Sequence, residues 1–432
     1  RKGNLLVYNE AIYDLMVIPR QVKNLDTLAF CSALNISEEY FKERMTKARR
    51  YSTFSPSVFM AQITKEEHGK IVENLHKFSG FYFQTRSVRN YPYPIAAHAL
   101  GNIGEVSKKD LENDSYYKVG DYIGKSGIEH FYEKELRGEK GMKIIVVDVH
   151  NREKESFMEG HYDTLPVAGK DIYLGLDAEL QLYGERLLKN KTGSIVAIEP
   201  ATGQILAMVS SPAYNPNELV GRVRGENYNK MLHDSLKPLV NRATSGIYPP
   251  GSTFKMVNGL IVLQSGVVNT KSAYPCHGKE SQPIRCTHSH NSPVALYEAI
   301  ENSCNPYFWE TFRDMFSSSR FASSKDAYAF WYNHVVSFGL GSTFKTDIPS
   351  EVSGNIPKSS YYEKLYRGVW NALTIRSLSI GQGEILVTPL QLANMAAAIG
   401  NEGFYYPPHL LRAFSDDTPL DSVMITKKII DI

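Results

Sequence analysis

Pro249-Pro250-Gly251 is the segment that most narrows what this chain can become. Two prolines and a glycine in succession stop whatever precedes them, and an apolar-periodic helix starts at once with Ser252-Thr253-Phe254-Lys255-Met256. Ser252 and Lys255 share a helical face, so Lys255 Nζ is predicted to reach Ser252 Oγ. A helix N-terminus also favours negative charge developing beside that serine. A serine next to a lysine kept neutral enough to accept a proton is a nucleophile–base arrangement, and burial beside other cationic groups supplies that neutrality.

The tetrad Ser-x-x-Lys is not distinctive alone. Ser115…Lys118 and Ser342…Lys345 repeat it, and its ordinary meaning is a capped or solvated helix start. Ser-x-Asn separates the candidates. Ser289…Asn291 and Ser353…Asn355 sit in polar loops flanked by Gly or Pro and read as turn residues. Ser303-Cys304-Asn305 instead ends an apolar helical stretch and runs into Pro306-Tyr307-Phe308-Trp309, as at a buried joint between helices. In such backbone the first and third residues project to one side, so Ser303 can relay a proton while Asn305 offers an amide to a substrate.

The chain divides near residue 165. Residues 5–18 read as extended, 37–50 as a helix capped by Ser37, 65–78 as an amphipathic helix and 126–136 as a helix ended by Gly138. Strand-like runs follow at 143–149 and 155–162, and no chemical motif is dense enough to make residues 1–165 catalytic. After the connector at 165–170 the pattern predicts a strand at 171–176, a helix at 177–190 and a hairpin of 193–199 with 204–210 about Pro200–Gly203. Helices are predicted at 252–265, 293–302, 325–338 and 388–400. Hairpin strands followed by a large helical insertion make residues 166–432 an α+β domain, a sheet packed on helices.

Lys+Arg 48 against Asp+Glu 46 is too balanced for a nucleic-acid-binding protein, and the basic run at 44–50 reads as a solvated helix face. No apolar run approaches the ~18 residues of a membrane span. The chain opens at Arg1 with neither Met nor a signal peptide, which reads as a piece of a longer protein. Cys276-His277 and Cys286-Thr287-His288-Ser289-His290 lie between the two motifs, with Cys304 inside the second. These residues suit either a tetrahedral zinc site, a Cys276–Cys286 disulfide, or free buried thiols.

Gly251-Ser252-Thr253-Phe254-Lys255 followed by Ser303-Cys304-Asn305 resembles the penicillin-binding proteins, serine acyltransferases that act on D-Ala-D-Ala peptides. Segments 193–217, 241–255 and 379–403 look like landmarks of their transpeptidase fold. Segments 2–15, 89–107 and 124–138 resemble the pedestal, or dimerisation-type, domain of class B members, and the elongation-type penicillin-binding protein 2 is the most similar subgroup. The resemblance implies a penicillin-binding-protein/serine β-lactamase-like domain behind a mixed α/β pedestal. It implies Ser252 as acyl-ester nucleophile with its own N–H in the oxyanion hole, Lys255 as general base, Ser303 as proton shuttle to the leaving D-Ala and Asn305 as binder of the donor-stem amide.

It further implies a structural zinc on Cys276, Cys286, His290 and Cys304, with His290 favoured over His288. Stem peptides and β-lactams are the expected ligands. A membrane glycosyltransferase and a rod-complex scaffold are the expected partners, the scaffold held by residues 1–165. The expected place is the bacterial inner membrane, with an N-terminal span outside this sequence and the body in the periplasm. A β-lactamase or D,D-carboxypeptidase, and a catalytically silent scaffold or β-lactam sensor, share parts of the pattern. The family's third motif, Lys-Thr/Ser-Gly, is expected after residues 379–403 and is not met before Ile432. Lys191-Thr192-Gly193 and Lys345-Thr346-Asp347 are read as decoys, and the chain as incomplete at its C-terminus.

Overall fold

The computed structural model describes residues 1–63, 65–148, 153–348, 350–416 and 418–432. Strand β1 (Tyr8–Val17) becomes apolar towards its end, and Leu15, Met16 and Val17 are buried there. It is the middle strand of a sheet with β2 (Ser57–Ile63) on one side and β3 (Phe81–Asn90) on the other, all antiparallel. The helices Thr27–Leu34, Glu38–Tyr51 and Lys65–Leu75 accompany it. Ser37 caps the second of these by accepting the Tyr40 N–H, as its sequence predicts. Phe30, Phe41, Phe59, Phe78 and Phe81 interlock beneath the helices, with Phe30 and Phe81 centroids 4.4 Å apart. This aromatic core is separate from the main one.

From Tyr91 onwards the chain packs elsewhere. Tyr91, Ile95, Leu100, Ile128 and Tyr132 belong to the same core as Phe254, Trp331 and Leu390. β4 (Ile103–Glu105) and β5 (Tyr122–Gly124) form a small hairpin. The helix predicted over 126–136 is two helices, Gly127–Phe131 and Glu133–Arg137, broken at Tyr132 (φ −102°, ψ 28°). The break lets the Tyr132 ring enter the core, while Glu133 turns to accept the Gly124 N–H and the Tyr117 hydroxyl. β6 (Ile145–Val147) pairs with β7 (Glu153–Ser156), and residue 149 of the predicted 143–149 strand lies outside the described residues. The 155–162 prediction fails after Ser156. Met158 and Glu159 take left-handed backbone (φ 49° and 57°), which no strand can continue, so Phe157–Gly160 closes as a tight turn.

In the second half, β8 (Ile172–Leu174) leads into the helix Ala178–Leu187, capped by Asp177. The predicted hairpin is present as β9 (Gly193–Ile198) and β10 (Ile205–Ser211). Its turn needs Gly203: φ is 78°, and a Cβ there would lie 2.7 Å from the Tyr406 carbonyl oxygen. The buried strand β10 has the helix Ala178–Leu187 packed on it, and the helix Pro389–Gly400 lies against β9. β11 (Phe404–Tyr405) pairs with the late strand β13 (Lys428–Ile429), and β12 (Leu411–Phe414) pairs back to β8. Sheet and helices therefore form the α+β arrangement expected.

Both decoy motifs do structural work. Gly193 opens β9 while Lys191 Nζ bonds the Leu187 carbonyl. Thr346 donates to the Pro408 carbonyl, and the fully buried Asp347 carboxylate accepts the N–H groups of Leu410 (2.8 Å) and Leu411 (2.6 Å). Its remaining capacity takes the Tyr132 hydroxyl at 3.2 Å, so a residue of the first half closes a network of the second.

Candidate active site

The helix predicted over 252–265 begins as a tighter turn, Gly251–Phe254, and becomes α-helical at Lys255–Gln264. Gly251 enters with φ 58°, a conformation that suits glycine and re-aims the chain after Pro250. Ser252 is exposed at this corner, whereas Lys255 is only 2% exposed. An accessible oxygen thus lies beside a buried amine.

Ser303 and Asn305 come from the joint between the helices Leu296–Glu301 and Asn305–Ser317. Ser303 itself is left-handed (φ 50°), which turns its hydroxyl back towards the first motif. Lys255 Nζ donates to the Ser303 carbonyl at 2.7 Å, to Ser303 Oγ at 2.9 Å and to Asn305 Oδ1 at 2.5 Å. Ser303 Oγ in turn donates to Ser252 Oγ at 3.0 Å. The direct Lys255–Ser252 bond predicted from helical spacing is therefore replaced by a relay through Ser303. The reason is tertiary: the joint brings three acceptors to Nζ, and the lysine reaches across the cleft for them.

Burial lowers the Lys255 ammonium from 10.5 to about 8, although the Cys304 and Cys286 thiols pull the other way. Asn305 Nδ2 donates one hydrogen to the Arg285 carbonyl at 2.9 Å and keeps a second for a ligand. Arg285 enters through its backbone, a role for which sequence carries no signal. Gly381 is a further contributor. Its carbonyl accepts the Gly251 N–H at 2.8 Å, and a Cβ on it would lie 2.3 Å from the Gly251 carbonyl oxygen. The Gly381-Gln382-Gly383 pattern is the only mark of this close approach in the sequence.

Behind the second motif, the ligand atoms of Cys276, Cys286, His290 and Cys304 all lie within 4.8 Å of one another. All four cysteines of the chain are free. Cys286 Sγ and His290 Nε2 are 3.4 Å apart, and His290 Nδ1 is bonded to the Asn291 carbonyl at 2.7 Å, which leaves Nε2 for the cluster. Burial pushes the Cys286 thiol up, but the N–H groups of His288 and Asn305, with His290 and Cys276, outweigh it and bring it down to about 7. Burial pushes the Cys304 thiol up to about 12. His288, the other histidine considered, is not part of this cluster.

Comparisons with known proteins agree along the whole chain. A family model described as the penicillin binding protein transpeptidase domain matches residues 193–431, and one described as the penicillin-binding protein dimerisation domain matches residues 1–174. The peptidoglycan D,D-transpeptidase MrdA of Acinetobacter baumannii is 32% identical over 427 residues, 96% of this chain; the chain spans 61% of that relative's length. Among solved structures, the complex between penicillin-binding protein 2 and MreC from Helicobacter pylori is similar at a TM-score of 0.77 and 26% identity, covering 98% of this chain and 79% of that one. Pseudomonas aeruginosa penicillin-binding protein 2 in complex with WCK 5153 gives a TM-score of 0.62 at 32% identity, covering 80% and 71%. With one model on the dimerisation part, another on the sheet-and-helix part, and the Ser252–Ser303–Lys255 relay inside the latter, the chain belongs to the penicillin-binding protein transpeptidase family.

Proposed function

We propose that the chain forms the body of a peptidoglycan D,D-transpeptidase of cell elongation that works through an acyl ester on Ser252. The observation that carries this reading is the hydrogen-bonded line from exposed Ser252 through Ser303 to a buried lysine whose ammonium is lowered to about 8. With Lys255 charged, the bonds run from Nζ to Ser303 and from Ser303 to Ser252. With Lys255 neutral they can reverse, so that Ser252 donates to Ser303 and Ser303 donates to Nζ. Ser252 Oγ then attacks the penultimate D-Ala carbonyl of a donor stem peptide while its proton passes to Lys255. The oxyanion meets the Ser252 N–H at the start of the helix. Collapse breaks the peptide bond, and the proton returns through Ser303 to the departing D-Ala nitrogen. An acceptor amine attacks the ester, forms the new amide and regenerates the Ser252 hydroxyl. A β-lactam would acylate the same oxygen and remain there.

The three sulfurs and one imidazole nitrogen suit zinc in a closed tetrahedral site, and the Asn291 carbonyl behind His290 is the kind of outer partner such a ligand needs. Cys276, Cys286, His290 and Cys304 would hold it. Bound there, the metal would fix the 276–290 loop against the second motif and take no part in bond making. The backbone N–H of Asn305 also faces Cys286, so that loop already adjoins the backbone of the second motif.

The reading extends to partners. The similar Helicobacter pylori structure is a complex with MreC, which supports a scaffold contact, and another similar structure concerns a peptidoglycan synthase complex coordinating polymerisation and crosslinking. We place the scaffold contact on residues 1–165 and a membrane glycosyltransferase beside them. Among the described residues no helix is long and apolar enough to cross a membrane, and this reading puts the body in the periplasm, anchored to the inner membrane from outside this sequence.

Fluorescent penicillin labelling of the full-length protein tests the chemistry. Labelling that disappears in Ser252→Ala supports it, and equal labelling of both proteins, or none of the wild type, refutes it. For the scaffold, photo-crosslinks are expected within residues 1–165. Crosslinks confined to 193–431 would overturn that assignment.

A further inference from the structure

Asn258 sits one turn beyond Lys255 on the helix Lys255–Gln264 and is 1% exposed. A buried amide on the apolar side of a helix is costly unless every polar atom is matched. Here they are. Nδ2 donates both hydrogens, to the Leu378 carbonyl at 3.0 Å and the Ser379 carbonyl at 2.8 Å. Oδ1 accepts the indole N–H of Trp331 at 2.8 Å, and Trp331, on the helix Ser324–Ser337, is fully buried.

The two carbonyls belong to the turn Arg376–Ile380, which runs straight into Gly381. Gly381 is the residue whose carbonyl holds the Gly251 N–H, one position before Ser252. Phe254, between Ser252 and Lys255, lies edge-on to Trp331 with centroids 6.1 Å apart. The bonds therefore close a ring: from the Ser252 corner along its helix to Asn258, across to 378 and 379, on to Gly381 and back to Gly251. An apolar residue at 258 would leave the Ser379 carbonyl and the indole N–H without these bonds, and the Leu378 carbonyl with only the Gly381 N–H at 3.1 Å. A fully matched buried network fixes one arrangement more tightly than apolar packing does.

Lys255 is anchored on the opposite wall, to Ser303 and Asn305. Ser252 itself meets that wall through the 3.0 Å bond from Ser303 Oγ to Ser252 Oγ. We propose that Asn258, held by Trp331, is a positioning residue for acylation: it locks the turn 376–381 beneath the Ser252 corner so that Ser252 Oγ stays on the relay. Asn258 touches none of the reacting atoms. The inference rests on the reading of Ser252 as nucleophile.

The test uses full-length protein, stopped-flow fluorescent penicillin and saturation kinetics, which separate the dissociation constant of the initial complex from the first-order acylation constant. Asn258→Leu keeps the branched four-atom shape, slightly larger, and deletes all three bonds. Trp331→Phe keeps a ring and deletes one bond, and it carries the test if Asn258→Leu does not fold. The acylation constant should fall about 10- to 100-fold in Asn258→Leu and less in Trp331→Phe, with the dissociation constant within about twofold of wild type. Unfolding temperatures measured in parallel define the folded fraction. Folded variants that acylate at the wild-type rate, or change only in the dissociation constant, overturn the positioning role and leave Asn258 as a core residue. A wild type that lacks Ser252-dependent labelling refutes the nucleophile reading, and this inference with it.

Discussion

Raising the pH from 7 to 9 should speed acylation of Ser252 about tenfold and then level off. The relay runs towards Lys255 only when that amine is neutral, and burial brings the ammonium down from 10.5 to about 8. A lowered value means that the neutral form is gained as pH rises through about 8, so activity appears above that point and fades below it. The neutral fraction is about 9% at pH 7 and about 91% at pH 9 for a group at about 8. An unshifted lysine would be about 0.03% and about 3% neutral at those two values, and its rate would climb about a hundredfold with no plateau. The assay is the first-order acylation constant at saturating fluorescent penicillin from pH 6 to pH 10, with Ser252→Ala as blank and β-lactam hydrolysis measured separately. A constant that does not change between pH 6 and 9 removes Lys255 as the base. One that still climbs steeply at pH 10 removes burial as the device that tunes it.

Ser303→Ala cuts the relay at its middle and should reduce acylation by about 10²- to 10⁴-fold while leaving the unfolding temperature close to wild type. A smaller loss would mean that Lys255 reaches Ser252 unaided. Purified protein should carry one zinc per chain by elemental analysis, and Cys286→Ser should lose it and unfold at lower temperature; wild type free of zinc removes the metal proposal. Phe30→Ala opens the aromatic core under the first sheet and should cost about 3–5 kcal/mol there. Hydrogen exchange should speed up in β1 and β3 and stay unchanged in the helix Lys255–Gln264; exchange accelerated in both would mean that the two cores unfold together.

Much of the candidate site was legible in this sequence because its residues come in short spacings. Ser252 with Lys255 and Ser303 with Asn305 could be read from local spacing. The set Cys276, Cys286, His290 and Cys304 came from the family resemblance, spacing alone leaving a zinc site, a disulfide or free thiols open. The fold brings each set together. What spacing could not give is which atoms meet across the cleft. The Lys255 bond to Ser303 depends on the left-handed turn at Ser303 and on how two distant helices approach. The helix Asn305–Ser317 was marked by Pro306 in its first turn and by Phe308, Phe312 and Met315 at helical spacing, although the expected elements stop at the joint before it. The strand expected through residue 162 and the single helix expected over 126–136 failed for a shared reason. Periodicity continued past Ser156 and Tyr132, but left-handed backbone at 158–159 ended the strand, and the helix broke into two at Tyr132, whose hydroxyl reaches Asp347.

The Tyr132–Asp347 contact bears on how such a protein can be rearranged by recombination. Tyr91, Ile95, Leu100, Ile128 and Tyr132 stand in the core of the second half, so a crossover near residue 165 inherits only part of that core from each parent. A hybrid whose first part lacked the tyrosine would keep a sealed carboxylate with one partner fewer, and one whose second part lacked the aspartate would strand the Leu410 and Leu411 N–H groups. Exchange at the β3 end, after Asn90, keeps the Phe30 core whole on one side and every buried residue of the shared core on the other, and it places the edge contacts of Leu6 and Val7 and the Arg89–Glu129 pair across the boundary. The unit whose exchange leaves both sets of buried core residues undivided is therefore the first ninety residues, smaller than the connector suggests.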